Sequence, residues 1–265
     1  MEPSHVPVNG LDYYCEIHGE GAPLLLLHGG LGSIEMLGPV LPALAAHRQV
    51  IAVDLHGHGR TALGTREMSF VDMGDDLAVI LDRLGHREVD AMGYSLGAGV
   101  ALRLALQHPR SVRRLVLVSA CPSQDAFYPE VAEAQARVGA GLAEMMKPSP
   151  LYQSYARIAP HPEDFPRLLD RLGALIRSPF DWRGDVAKLA AHTLLVFGDS
   201  DTYKLDHVVE FYRLLGGGQR DAGWMREHVA KNRLAILPDC THYDILTSPL
   251  LIAAIVPFLD AKPRR

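Results

Sequence analysis

The sequence lacks the features by which secreted, membrane and disulfide-rich proteins are usually recognised. Its three cysteines, Cys15, Cys121 and Cys240, are odd in number and have no CxxC spacing, so neither a disulfide framework nor a cysteine zinc site is expected. The first residues show no signal peptide, and no window approaches the roughly eighteen unbroken apolar residues of a membrane span. We therefore expect a cytoplasmic protein without a membrane span.

Long runs of one charge are also missing. The chain carries 26 Lys and Arg residues against 31 Asp and Glu residues, and no basic run could neutralise a row of phosphates. Nucleic acid is therefore not an expected partner. The hydrophobic content of 48% is typical of a globular chain, and 265 residues are enough to bury one large core.

What the sequence does contain is an alternation of strand and helix patterns. Six short runs rich in Val, Ile and Leu predict buried parallel strands, at 24–27, 50–53, 89–92, 115–118, 194–197 and 234–237. Helical spacing fills many of the intervals, at 70–84, 96–108, 206–215 and 249–259. This alternation predicts an α/β fold with a doubly wound, mostly parallel sheet and helices on both faces.

The alternation is interrupted between residues 121 and 191. Apolar residues there recur at helical intervals, prolines are frequent, and no strand pattern is visible. We predict two to four inserted helices that form a lid over the C-terminal edge of the sheet. The predicted division is a core at 1–120 and 192–265 with a helical cap at 121–191.

The sharpest motif is Gly93-Tyr94-Ser95-Leu96-Gly97, directly after one predicted strand and before a predicted helix. A serine on such a tight turn projects its hydroxyl over the sheet edge, where the Leu96 amide and the positive end of the helix point as well. The hydroxyl alone is a weak nucleophile, so the motif requires a nearby base. Because the bare pattern also arises by chance, its interpretation depends on the remaining motifs.

Three further motifs follow predicted strands in the same way: His28-Gly29-Gly30 after 24–27, Gly198-Asp199-Ser200-Asp201 after 194–197, and Cys240-Thr241-His242 after 234–237. Parallel sheets bind ligands at the C-terminal ends of their strands, so these motifs are expected to meet at one edge. The amide of Gly30 is a candidate second donor, beside that of Leu96, for an oxyanion hole.

With these motifs, and a glycine-rich turn at 54–61, the chain resembles the α/β-hydrolase superfamily from about residue 8 to 259. The chain order of the resemblance implies Ser95 as nucleophile, Asp201 as acid and His242 as base. Gly30 and Leu96 would supply the oxyanion hole. The resemblance implies neither a cofactor nor a metal.

Two assignments have competitors. Asp199 lies in the same turn as Asp201, but the fourth position of the family's Gly-x-x-Asp turn selects Asp201. His28 is expected to organise the oxyanion loop through its ring. His56 and His58 have a His-x-His spacing that could suggest a metal, but no carboxylate or cysteine cluster accompanies them, so we interpret both as residues of a solvated turn.

The function implied by the resemblance is hydrolysis of small to medium-sized carboxylic esters through an acyl-enzyme on Ser95. Lactone opening, carbon–carbon bond cleavage, acyl transfer and haloperoxidase-like perhydrolysis use the same residues and stay open. The non-enzyme alternative is a small-molecule receptor on a hydrolase scaffold. The expected partner is a small-molecule ester, and the sequence leaves a homodimer open.

Overall fold

One mixed sheet organises residues 2–261, the part of the chain that our computed structural model describes. Its strands are β1 (Glu2–Val8), β2 (Leu11–His18), β3 (Pro23–Leu27), β4 (Gln49–Val53), β5 (Val89–Tyr94), β6 (Val112–Val118), β7 (His192–Ser200) and β8 (Arg233–Thr241). They lie in the order β1-β2-β4-β3-β5-β6-β7-β8. Strands β3 to β8 pair in parallel, whereas β1 pairs antiparallel with β2, and β2 with β4.

Helices cover both faces of this sheet, and further helices lie between β6 and β7. The helices are α1 (Val40–Ala45), α2 (Phe70–Arg83), α3 (Leu96–Gln107), α4 (Pro129–Ala136), α5 (Ala143–Met146), α6 (Pro150–Ile158), α7 (Phe165–Arg177), α8 (Arg183–Val186), α9 (Leu205–Leu214) and α10 (Pro249–Leu259). The apolar side chains of α2, α3 and α9 join one buried cluster, and those of α1 and α10 join another. The predicted α/β fold with a mostly parallel sheet is confirmed.

Strand β3 illustrates why an uninterrupted apolar run becomes a central strand. Successive side chains of a strand point to opposite faces of the sheet. Leu25 and Leu27 accordingly belong to one core cluster, whereas Leu24 and Leu26 belong to the other, and all four are fully buried. A strand covered by helices on both faces therefore needs apolar residues at every position.

The antiparallel hairpin of β1 and β2 was absent from our sequence interpretation. Asn9 and Gly10 connect the two strands with φ angles of 50° and 82°. Positive φ at both central residues is typical of the type I′ turn, for which Asn-Gly is a preferred sequence. The hairpin extends the sheet beyond β4, away from the C-terminal ends of β5, β7 and β8.

Helices α4 to α8 all lie between β6 and β7, in the region 121–191 where the sequence shows no strand pattern. They outnumber the two to four expected helices, and α5 and α8 are each only four residues long. Helix α7 buries one face, including Phe165, Leu168 and Leu172. Within residues 2–261, no helix is long and apolar enough to cross a membrane.

Candidate active site

Ser95 occupies the sharp turn between β5 and α3. Its backbone has φ 52° and ψ −117°, a strained combination for a residue with a side chain. The flanking glycines make this turn sterically accessible. A Cβ atom at Gly93 would overlap the backbone of Gly97, and a Cβ atom at Gly97 would overlap the carbonyl oxygen of His28. The geometry matches the strand-turn-helix context expected from the sequence.

The structure brings Ser95, His242 and Asp201 into one hydrogen-bonded chain. The Ser95 Oγ atom lies 3.0 Å from His242 Nε2, and His242 Nδ1 lies 3.0 Å from Asp201 Oδ1. When Nδ1 carries the proton and donates it to the carboxylate, Nε2 is left as an acceptor for the serine hydroxyl. This arrangement can deprotonate Ser95, as nucleophilic catalysis requires.

Asp201 is held as a carboxylate by several donors. Its Oδ2 accepts hydrogen bonds from Ser119 Oγ at 2.6 Å and from the Gly198 amide at 3.3 Å, and its Oδ1 accepts one from the Thr202 amide at 2.7 Å. Burial alone would raise the pKa of Asp201. The hydrogen bonds from His242, Ser119 and Thr202 outweigh burial and lower that pKa below its ordinary value. The carboxylate therefore stays ionised beside the imidazole.

Ser119 is a contributor that the sequence analysis missed. It directly follows β6 with φ 54°, which turns the chain and points the buried Oγ at Asp201. A polar residue immediately after a buried strand, at the edge where the other motifs meet, is the signal that could have identified it.

Two neighbours fix the position of His242. The Tyr94 hydroxyl donates to the main-chain oxygen of His242 at 2.6 Å, which anchors the loop after β8 to the end of β5. The Thr202 Oγ1 atom lies 3.2 Å from His242 Nδ1 and 3.3 Å from Asp201 Oδ1. His242 is thus held through its main-chain oxygen and through its ring atom Nδ1.

Asp199 lies two residues before Asp201 but makes different contacts. Its carboxylate accepts hydrogen bonds from the amides of Asp239 and Cys240, at 3.1 Å and 3.4 Å, and it is exposed. These bonds connect the end of β7 to the end of β8. Asp201, and not Asp199, contacts the imidazole of His242.

His28 organises the loop that carries Gly30. The fully buried ring accepts a hydrogen bond from the Leu55 amide at Nε2, at 3.0 Å, and its Nδ1 lies 2.7 Å from the carbonyl oxygen of Gly29. Burial lowers the pKa of His28 to about 4, so the ring is neutral at pH 7. Gly30 and Leu96 both face the cavity that contains Ser95.

The expectation of a solvated turn at His56 and His58 was wrong, because both side chains are fully buried. His56 Nε2 lies 2.8 Å from the Leu63 carbonyl oxygen, and His58 Nδ1 lies 2.8 Å from that of His56. Burial and the neighbouring His28 ring lower the pKa of His58 to about 3. Both rings therefore act as neutral packing and hydrogen-bonding groups. Among residues 2–261, no three His, Cys, Asp or Glu residues converge as a candidate metal site.

A cavity of about 540 Å³ opens above Ser95. One side is formed by the sheet edge and α3, including Gly30, Leu96 and His242. The other side is formed by helices within 121–191, including Leu151 of α6 and Leu172 of α7. Such a volume is within the range of small-molecule sites.

Comparisons with known proteins agree with this fold. A family model described as alpha/beta hydrolase fold matches residues 22–158. The chain is 29% identical over 207 residues to a putative carbamate hydrolase RutD from Azorhizobium caulinodans, covering 72% of this chain and 77% of that protein. It is 28% identical to a pimeloyl-[acyl-carrier protein] methyl ester esterase from Nitrosospira multiformis, and the match covers 92% of this chain and 97% of that protein. The solved structure of a thermophilic esterase from Thermogutta terrifontis has a TM-score of 0.74 at 20% identity, covering 98% of each chain.

Proposed function

Because this chain belongs to the alpha/beta hydrolase fold family, we propose that it is a serine hydrolase that cleaves carboxylic esters through an acyl-enzyme on Ser95. The observation that carries this proposal is the chain of contacts from Ser95 through His242 to Asp201, with 3.0 Å at each step. A relative named as a methyl ester esterase gives independent support for the ester bond as the target.

In the proposed first half of the reaction, Ser95 Oγ forms a bond to the carbonyl carbon of the ester while its proton moves to His242 Nε2. The carbonyl oxygen becomes an oxyanion, for which the amides of Gly30 and Leu96 are the proposed donors. Collapse of this intermediate breaks the bond to the alcohol, which leaves with the proton from His242. The acyl group stays on Ser95.

The second half repeats these steps with water. His242 takes a proton from the water as its oxygen attacks the acyl carbon, and returns it to Ser95 Oγ when the acid is released. Asp201 stabilises the imidazolium that exists in both halves. Its lowered pKa supports this role, because a carboxylate that stays ionised can pair with the positive ring.

We propose that residues 121–191 act as a lid on this site. Leu151 and Leu172, from two of the helices in that range, line the cavity opposite Ser95. A helical cover of this kind limits the access of water and sets the size of the acyl group that fits.

The proposal is tested by turnover of p-nitrophenyl esters of graded acyl length. We expect wild-type protein to hydrolyse them with multiple turnovers and Ser95→Ala to lose at least about 1,000-fold in kcat. Ser200→Ala is the matched control, since Ser200 is exposed at the end of β7, directly before Asp201, and its hydroxyl donates a hydrogen bond to Asp199. It is expected to retain wild-type activity.

Full activity in Ser95→Ala would refute the proposed nucleophile. Wild-type protein that binds esters without turnover would instead favour the receptor alternative.

A further inference from the structure

The cavity around Ser95 has an unusually uniform chemical lining. Among the residues that the structure describes, those facing the cavity include no Asp, Glu, Lys or Arg. Most are aliphatic or aromatic, such as Phe70, Val138 and Ile176. Apart from Ser95, His242 and the tyrosine hydroxyls, the hydrogen-bonding side chains of this lining are the Gln135 amide, the Trp182 indole N–H and the weakly donating Cys121 thiol.

From this lining we infer that the site selects esters with an uncharged, mainly apolar acyl group and discriminates strongly against acyl groups that end in a carboxylate. The inference rests on the proposed function and specifies its substrate class. A carboxylate that enters an apolar cavity loses its hydration, which is costly unless a cation or several donors replace the water.

The charge of Asp201 makes the penalty larger. The carboxylate of Asp201 lies directly behind His242 and is ionised, so a second carboxylate in the cavity would meet a like charge. The guanidinium of Arg103 lies 5.4 Å from the ring centre of Trp182, a residue that lines the cavity. Arg103 itself does not line the cavity. Its side chain donates to Gln107 and pairs with Asp185 at 3.7 Å.

The size of the cavity sets the range of acyl groups. Its volume of about 540 Å³ corresponds to roughly 18 groups of the size of a water molecule in the liquid. A six-carbon acyl chain with an aryl leaving group fits within this volume. A carboxylate at the end of such a chain has to enter the same apolar space as the chain itself.

The test compares three esters that share one leaving group: p-nitrophenyl hexanoate, p-nitrophenyl methyl adipate and the mono-p-nitrophenyl ester of adipic acid. We expect the adipic monoester to have a kcat/KM about 100-fold below that of the hexanoate. The methyl adipate, which is polar but neutral, is expected within about tenfold of the hexanoate. Comparable kcat/KM for the charged and neutral esters would overturn the inference and leave the proposed function standing. Absence of turnover on all three esters would overturn both the inference and the proposed function.

A charge placed in the lining tests the cause of the discrimination. Leu151 lines the cavity on the lid, so Leu151→Arg should narrow the ratio of neutral to charged kcat/KM by at least about tenfold. Met145 lies on α5, also within residues 121–191, is 71% exposed and does not line the cavity. Met145→Arg adds the same charge and should leave the ratio unchanged. An equal effect of both substitutions would show that long-range charge, and not the lining, sets the preference.

Discussion

Acidification from about pH 7.5 to about pH 5 is expected to destabilise this fold, because His28, His56 and His58 are buried in the neutral form. His28 and His58 are fully buried, and their pKa values are lowered from 6.5 to about 4 and about 3. The unfolded chain binds protons at both rings near pH 5, whereas the folded chain does not. The stability that they contribute is therefore complete above about pH 6.5 and is lost as the pH falls toward those folded-state values.

The expected loss follows from these pKa differences. Each histidine lowers the free energy of unfolding by about 2 kcal/mol at pH 5 relative to pH 7.5. Asp54 acts in the opposite direction, because burial raises its pKa to about 6 and the folded state binds its proton more readily than the unfolded state does. Its protonation offsets about 1.4 kcal/mol, which leaves a net loss of about 2.5 kcal/mol from these three groups. The lowered pKa of His56 acts in the same direction as those of His28 and His58.

Urea unfolding followed by tryptophan fluorescence measures this loss. With an m-value of about 3 kcal/mol/M, the urea concentration at the unfolding midpoint should fall by about 1 M between pH 7.5 and pH 5. The variant His58→Asn keeps a donor near the carbonyl oxygen of His56 but removes the titrating ring, so it should recover about 2 kcal/mol of the loss. The exposed His47 gives the matched control, and His47→Asn should behave as wild type. Equal midpoints at both pH values, or an unchanged acid loss in His58→Asn, would refute the reasoning.

Three further outcomes are expected. Asp201→Asn should lower kcat by roughly 1,000- to 10,000-fold, because an amide cannot stabilise the imidazolium, whereas Asp199→Asn should cost less than about tenfold. Comparable losses would contradict the assignment of the acid. Ser119→Gly suits the positive φ at this position and removes the hydrogen bond to Asp201. Steady-state kinetics measured against pH should show kcat reduced about tenfold and the acid limb of the profile moved to higher pH. An acid limb that does not move would refute the role of Ser119 in positioning Asp201. Gly97→Ala forces a Cβ atom against the carbonyl oxygen of His28 and should cost about 3 kcal/mol, seen as a Tm roughly 10 °C lower. Gly184→Ala, whose Cβ would meet no atom within 4 Å, should be near neutral, and equal Tm values for the two variants would contradict the steric argument.

The central strands were predictable because burial on both faces demands apolar side chains without interruption. Leu24 to Leu27 carry that signal directly in the sequence, and the structure buries all four. The hairpin of β1 and β2 was missed for the opposite reason, since one of its strands contains prolines and both mix polar with apolar residues. The Asn9-Gly10 pair between them was the available signal.

The burial and hydrogen-bond partners of individual side chains were harder to predict than which motifs meet at the sheet edge. The resemblance to the α/β-hydrolase superfamily pointed to Ser95, Asp201 and His242, and the fold brings these three together. Burial of His58 could not be read from its neighbours in sequence, because the ring is covered by segments that are distant along the chain. The bond from Ser119 to Asp201 likewise joins the ends of two different strands, which only the folded sheet brings together.

The central claim, that Ser95 is the nucleophile, is tested most directly by covalent labelling with diethyl p-nitrophenyl phosphate and mass spectrometry of the proteolysed protein. We predict one phosphoryl adduct per chain, located on the peptide that contains Ser95 and absent from Ser95→Ala. An adduct on another residue that persists in Ser95→Ala, or wild-type protein that stays unlabelled, would contradict the account.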